Sequence, residues 1–177
     1  MDLAGRNGPK FCGWMNKQAR QVVVKKIVSG GQTGADRAAL DSAIAHDIPH
    51  AGWCPSGRLS EDGVISPRYR LRETPAAGYA QRTEWNVRDS DGTVIFSLAP
   101  LLTGGSLATA EFARRLGRPC LHLSREAGDG AELGRRLAAF LRRHRIKVLN
   151  VAGPRASVEP EIGAFVKQVL ARVLGGD

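Results

Sequence analysis

No stretch of the sequence holds the roughly 18 consecutive apolar residues that a bilayer crossing needs, which excludes a spanning helix. Residues 1 to 24 also lack the continuous apolar core and small-residue cleavage site of a secretory signal. Aromatic residues make up only 6% of the chain, and no single-strand stacking motif is present. Cysteine is scarce: Cys12, Cys54 and Cys120 are an odd number without metal-ligand spacing. They read as reduced thiols of a cytoplasmic protein, with Cys120 as core filling. The histidines His46, His50, His122 and His144 show no pairing at i+3 or i+4 on one helix, and no cysteine is placed to make a strong metal signature with them, so no metal is expected to be ligated directly by the chain. No Gly-Lys-Ser/Thr follows a glycine loop, which excludes a nucleoside-triphosphate loop.

What is abundant is positive charge. Lys and Arg number 26 against 17 Asp and Glu, a net charge of +9, and 20 of the 26 are arginine. Guanidinium forks match phosphate-like oxygens, so the balance permits anionic ligands, although a solvated surface accounts for it equally well. The densest run, Arg135, Arg136, Arg142, Arg143, Arg145 and Lys147, carries no stacking motif, and nucleic acid is not the expected partner. A length of 177 residues, 42% hydrophobic and 24% charged, fits a globular chain of about one domain.

Residues 1–24 mix glycines, Pro9 and scattered bases and are expected to form a flexible arm; residues 25–177 are expected to form a single ligand-binding domain. There, short β-like runs alternate with helix-period segments. The strand candidates are Lys26–Ser29, Pro49–Trp53, Thr93–Ser97, Pro119–Leu123 and Lys147–Ala152. The helix candidates are Asp36–His46, Tyr79–Asp89, Ala108–Leu116, Ala131–Arg143 and Glu159–Leu174, with apolar stripes such as Ile162, Phe165, Val166, Val169 and Val173. The pattern predicts a three-layer α/β fold: a central parallel sheet of about five strands with helices on both faces. Helix-to-strand links are brief and plain, whereas strand-to-helix links hold the unusual residues. In such a sheet those links emerge together at the carboxyl ends of the strands, where ligands bind.

The first such link, Ser29-Gly30-Gly31-Gln32-Thr33-Gly34-Ala35-Asp36, is either a tight structural turn or an anion cradle at a helix start. The second, Thr103-Gly104-Gly105-Ser106, repeats the physics, with Thr109 and Glu111 farther along the helix. Two cradles suit a ligand with a phosphate at one end and another polar group at the other. Glu111 either orients ligand hydroxyls, acts as an acid or base, or pairs with Arg115 at i+4. Trp53 and Arg58 stand where a strand meets the long Cys54–Gly78 stretch, a length that often folds over a ligand. Arg82 and Asn86 share a helix face with Tyr79 one turn before, pointing either to the crevice or to water. Gly153-Pro154-Arg155 adds a fixed turn and another guanidinium.

Taken in order, Ile27–Ala38, Gly52–Pro55, Glu61–Gly63, Arg82–Val87, Asp89–Thr93, Thr103–Gly105 and Asn150–Arg155 resemble the molybdenum cofactor carrier family over about residues 25 to 174. The resemblance implies a Rossmann-like fold and a carrier of molybdenum cofactor, a phosphorylated molybdopterin, whose metal arrives with the cofactor. It also implies a homo-oligomer such as a tetramer, and a recipient molybdoenzyme. The site residues expected on this basis are Gly30, Gly31, Gln32, Thr33, Gly34, Asp36, Trp53, Arg82, Asn86, Ser97, Thr103, Gly104, Gly105, Ser106, Thr109 and Arg155. The wider group includes phosphoribohydrolases that cleave the N-glycosidic bond of nucleoside monophosphates, with a Pro-Gly-Gly-x-Gly-Thr-x-x-Glu signature. Here Glu111 keeps the spacing, but Thr103 replaces the proline, Leu107 the third glycine, and the threonine is displaced to Thr109. Those departures lean toward binding, with Glu111 catalytic only if the protein is a hydrolase.

Overall fold

The computed structural model describes residues 24–175, so the expected arm lies outside the described residues apart from Val24. In chain order the elements are β1 (Lys26–Val28), α1 (Ala35–Ala45), β2 (His50–Ala51), β3 (Trp53–Cys54), β4 (Leu59–Ser60), β5 (Gly63–Val64), β6 (Arg72–Glu73), α2 (Tyr79–Arg88), β7 (Gly92–Ser97), α3 (Gly104–Arg115), β8 (Cys120–Ser124), α4 (Gly130–His144), β9 (Val148–Ala152) and α5 (Ile162–Leu174). The central sheet has five parallel strands in the order β2-β1-β9-β7-β8. β7 is buried along its whole length, as a strand covered on both faces must be. Helices α1 and α4 flank α5 in one layer, and α2 packs on α3 in the other. Phe96 meets Phe165 edge to face with ring centroids 5.7 Å apart, tying the sheet to α5. No helix among the described residues is long and apolar enough to cross a membrane.

The strand order carries a rearrangement. Numbered 1 to 5 along the chain, the central strands lie 2-1-5-3-4; moving the last strand to the front turns this into 3-2-1-4-5, the first five places of the doubly wound order 3-2-1-4-5-6. β9 therefore occupies the centre that the first strand takes in the usual connectivity. The chain leaves β9 toward α5 and leaves neighbouring β7 toward α3, in opposite layers. A crevice opens between their carboxyl ends.

Three of the expected boundaries change. The run Pro49–Trp53 is not one strand: β2 joins the central sheet, while β3 pairs with β6. Gly52 separates them with φ 150°, and a Cβ there would run into the carbonyl oxygen of Ser29. The third helix begins at Gly104 rather than Ala108, because Ser106 and Leu107 donate to the carbonyl of Thr103 at 3.1 and 3.2 Å. α5 begins at Ile162 rather than Glu159; the amides of Val158 and Glu159 turn back onto the carbonyl of Arg155.

The Cys54–Gly78 stretch, expected as a covering loop, is a folded excursion whose Cys54, Ile65 and Tyr69 form a small second core with Leu40 of α1. Arg58 organises it by donating to the carbonyls of Ile65, Leu71, Ser66 and Tyr69 at 3.0–3.1 Å. Its guanidinium is thereby committed to the backbone and not to a ligand. The Tyr69 hydroxyl donates to Asp41 at 2.8 Å. Burial first, and this hydrogen bond second, push the Tyr69 phenol up to about 12. The neutral phenol is the stabilised form, so this contribution is whole below pH 10 and is lost as the pH climbs toward 12. The chain has two tyrosines, and ultraviolet phenolate absorbance should show one ionising only near pH 12. That late step should vanish in Tyr69→Phe; its persistence in the variant would reassign it.

Candidate functional site

A cavity of about 420 Å³ occupies the crevice at the switch between β9 and β7, a volume suited to a small molecule. Four segments wall it: Gln32 and Asp36 after β1, Tyr79, Arg82, Thr83 and Asn86 on α2, Thr103–Ser106 with Thr109 at the start of α3, and Asn150–Arg155 with Ser157 and Val158 at the end of β9 and beyond it.

The wall formed by α3 is the open one. Thr103 stands at the N-cap without bonding its side chain to the helix, and no partner among the described residues takes the N–H of Gly104 or Gly105. A Cβ at either glycine would meet nothing within 4 Å. Bare amides at the positive end of a 12-residue helix make a seat for an anion.

The first glycine turn is built differently: three of its amides are taken by the protein itself. Gln32 N–H donates to Asp36 at 3.3 Å, Thr33 N–H to the Gln32 side chain at 2.9 Å, and Ala35 N–H to the carbonyl of Pro154 at 3.1 Å. Gly34, at φ 77°, lets the chain lie against the backbone of Pro154–Ala156. The Thr33 hydroxyl donates to Glu61 and accepts from Ala156 N–H at 3.1 Å, while Ser157 also binds Glu61. Burial pushes the Glu61 carboxyl up, but the Ser157 and Thr33 hydrogen bonds outweigh it and hold the group below its usual range. Only Gln32 and Asp36 of this turn reach the cavity. Of the two cradles expected, one faces the cavity with free amides and the other locks loops together.

Gly31 shows the consequence. It sits at φ 77°, and an added Cβ would lie 2.5 Å from Leu71 Cδ1 and 3.2 Å from Ile65 Cδ1. Gly31→Val should therefore lower the thermal midpoint by several degrees, since backbone strain of about 1–3 kcal/mol is a sizeable share of domain stability. A calorimetric scan matching wild type would contradict the packing described.

Of the other expected residues, Arg82, Asn86, Thr103, Gly104, Gly105, Ser106, Thr109 and Arg155 line the cavity, while Gly30, Trp53 and Ser97 do not. The Asn86 amide is already satisfied: it accepts from Trp53 N–H at 2.7 Å and donates to the Trp53 carbonyl at 3.0 Å. The Trp53 indole donates to Asp89 at 2.7 Å and packs edge-on against Trp85 with centroids 4.8 Å apart. Ser97 is buried, donating its hydroxyl proton to the Ala99 carbonyl at 2.6 Å and lying 2.7 Å from His122 Nε2. With its one proton so placed it accepts from His122, whose pKa is pushed down by burial and then by Arg136. It is no activated nucleophile. Glu111 is on the exposed face of α3, off the cavity wall, and Arg115 pairs with Glu84 at 2.6 Å rather than with it.

Arg82 bonds Asp36 at 2.8 Å, with side chains 14% and 4% exposed, and lies across the Cα of Gly30. Tyr79 has the guanidinium carbons of Arg82 and Arg155 at 5.6 and 5.3 Å from its ring centroid. Tyr79 was legible as a neighbour of Arg82 one turn away; Ser157 and Val158 carried no signal in the sequence. Among the described residues no group of three His, Cys, Asp or Glu side chains could hold a metal ion.

A family model described as "Circularly permutated YpsA SLOG family" matches residues 27–174. The strand order agrees with that description. A solved structure, "Putative molybdenum carrier protein" from Syntrophus aciditrophicus, is 46% identical over 87% of this chain and 97% of that one, with a TM-score of 0.85. No curated protein matches the sequence significantly.

Proposed function

This chain belongs to the circularly permutated YpsA SLOG family, and from that premise we propose that it binds molybdenum cofactor, a phosphorylated molybdopterin, and holds it for delivery to a recipient molybdoenzyme. The observation that carries the reading is the open start of α3: two unpartnered amides, no Cβ in front of them, facing a cavity of about 420 Å³. A terminal phosphate seated there meets the helix dipole and needs no reorganisation of the backbone. Arg155, beside Tyr79 at the same cavity, supplies a guanidinium to the ligand's remaining anionic oxygens. The metal is cargo that travels on the pterin. The relative's name, a molybdenum carrier, points the same way. A homo-oligomer working in the cytoplasm completes the reading.

Anaerobic incubation with cofactor released from a molybdoenzyme, followed by gel filtration, tests it. Molybdenum and pterin should elute together with the protein in equal amounts, and Arg155→Ala should weaken retention by roughly one decade, the worth of one charge-assisted hydrogen bond. Molybdenum left wholly in the small-molecule fraction would refute carriage. Glu111→Gln should change neither retention nor a base-release assay with purine nucleoside monophosphates, because its carboxylate stands off the cavity. Catalytic base release lost in that variant would instead establish a hydrolase.

A further inference from the structure

One wall of the cavity, formed by Gln32, Asp36 and Arg82, has more hydrogen-bonding capacity than the protein uses. Gln32 is 6% exposed. Its Oε1 accepts from the amides of Thr33 and Glu61 at 2.9 and 3.0 Å, which fixes the orientation of the side-chain amide, and Nε2 is left buried without a partner. Arg82 gives Nη1 to Asp36, while its Nε is likewise buried and unpartnered. Both hydrogen bonds to Asp36, from Arg82 Nη1 at 2.8 Å and Gln32 N–H at 3.3 Å, arrive at Oδ2. Oδ1 takes none among the described residues and is a spare acceptor. Native interiors seldom leave such groups unpaired unless another molecule completes them.

We infer that this wall reads the 2-amino-4-oxopyrimidine edge of a fused heterocycle, with Asp36 accepting from the ring N–H and the exocyclic amine, and Arg82 and Gln32 donating to the oxo oxygen. The inference rests on the cavity being the ligand site proposed above, and it names the part of the ligand that gives specificity. The two donors of the ligand edge meet the Asp36 carboxylate, whose Oδ1 is the spare acceptor, and its acceptor meets the unpartnered donors of Gln32 and Arg82. A phosphate is repelled here by the carboxylate, which leaves the bare amides of Gly104 and Gly105 as its seat. The edge is common to pterins and guanine. Replacing the amine by a second oxo group, as in lumazine or xanthine, sets oxygen against the Asp36 carboxylate. Adenine lacks the pattern altogether.

Calorimetric titration of the whole protein with four probes tests the inference: 6-hydroxymethylpterin phosphate, the corresponding lumazine phosphate, guanosine monophosphate and xanthosine monophosphate. Wild type should bind the amino member of at least one pair about tenfold or more tightly than its oxo counterpart. In Asp36→Asn, whose amide can donate as well as accept, the ratio should narrow to within about threefold. Equal affinities within both pairs, no binding of any probe, or a ratio unchanged in a folded Asp36→Asn would overturn it; if that variant does not fold, the wild-type ratios decide alone. A preference confined to the guanine pair supports the wall's chemistry and counts against a pterin cargo. Retention of molybdenum cofactor by a protein that does not discriminate overturns the inference and leaves carriage standing.

Discussion

Gly105→Val should abolish most binding of the proposed cofactor while leaving the fold as stable as wild type or slightly more so. The position lies in the first turn of α3, where a Cβ meets nothing within 4 Å, so the substitution creates no internal clash. Valine is also a better helix former than glycine by a few tenths of a kcal/mol. The same side chain, however, fills the space in front of the two free amides. Losing two hydrogen bonds to a charged phosphate, each about 1.5–3 kcal/mol, lowers affinity by roughly a hundredfold or more. Titration with the cofactor and a thermal scan on one preparation check both halves. Wild-type affinity in this variant would remove the phosphate from α3. The contrast with Gly31→Val is the informative part: one glycine keeps a surface clear, and the other keeps a turn packed.

Arg82→Ala should destabilise the protein by about 3–5 kcal/mol, the range for stranding one partner of a buried ion pair. Its guanidinium lies 2.8 Å from Asp36, and the two side chains are 14% and 4% exposed, so solvent screens the pair little. Removing the arginine leaves the Asp36 carboxylate without its nearest positive charge and opens a hole over Gly30. Against a total domain stability of about 5–15 kcal/mol, such a loss brings the variant close to unfolding at ordinary temperature. The double variant Arg82→Ala/Asp36→Ala should recover much of the loss, because the stranded charge goes too. Denaturant midpoints for the two single variants and the double variant give the coupling directly. A single variant as stable as wild type would mean that the pair is not buried as described.

Periodicity in the sequence sufficed for the sheet-and-helix alternation, and the contrast between plain and glycine-rich links pointed to the carboxyl ends of the strands, where the candidate cavity opens. What it could not convey depends on residues far away in the chain. The Ala35 amide of the first glycine turn is withdrawn from any ligand by the Pro154 carbonyl, which takes its N–H. The division of Pro49–Trp53 into two strands is decided by the Ser29 carbonyl beside Gly52. Arg58 was legible only as an arginine at a strand end before a long stretch, and four carbonyls of its own excursion consume it. In each case residue type and spacing were legible, and direction was not. The resemblance to the carrier family was specific because it joined motifs from all these segments in order.

The position of β9 also governs how the chain can be born. It pairs with β1 on one side and β7 on the other, yet it leaves the ribosome after both, and the hydrogen bond from Ser29 Oγ to the Val151 carbonyl spans 122 positions. Until β9 emerges, β1–β2 and β7–β8 are two parallel pairs with no ladder between them, each presenting an unpaired edge. Closing them early costs loop entropy with no contacts in return, so assembly waits until β9 has been made. During that interval the exposed edges of β1 and β7 are templates for intermolecular strand pairing. A rearranged gene that places β9 and α5 ahead of β1 would close the sheet from its centre outward and shorten the exposure.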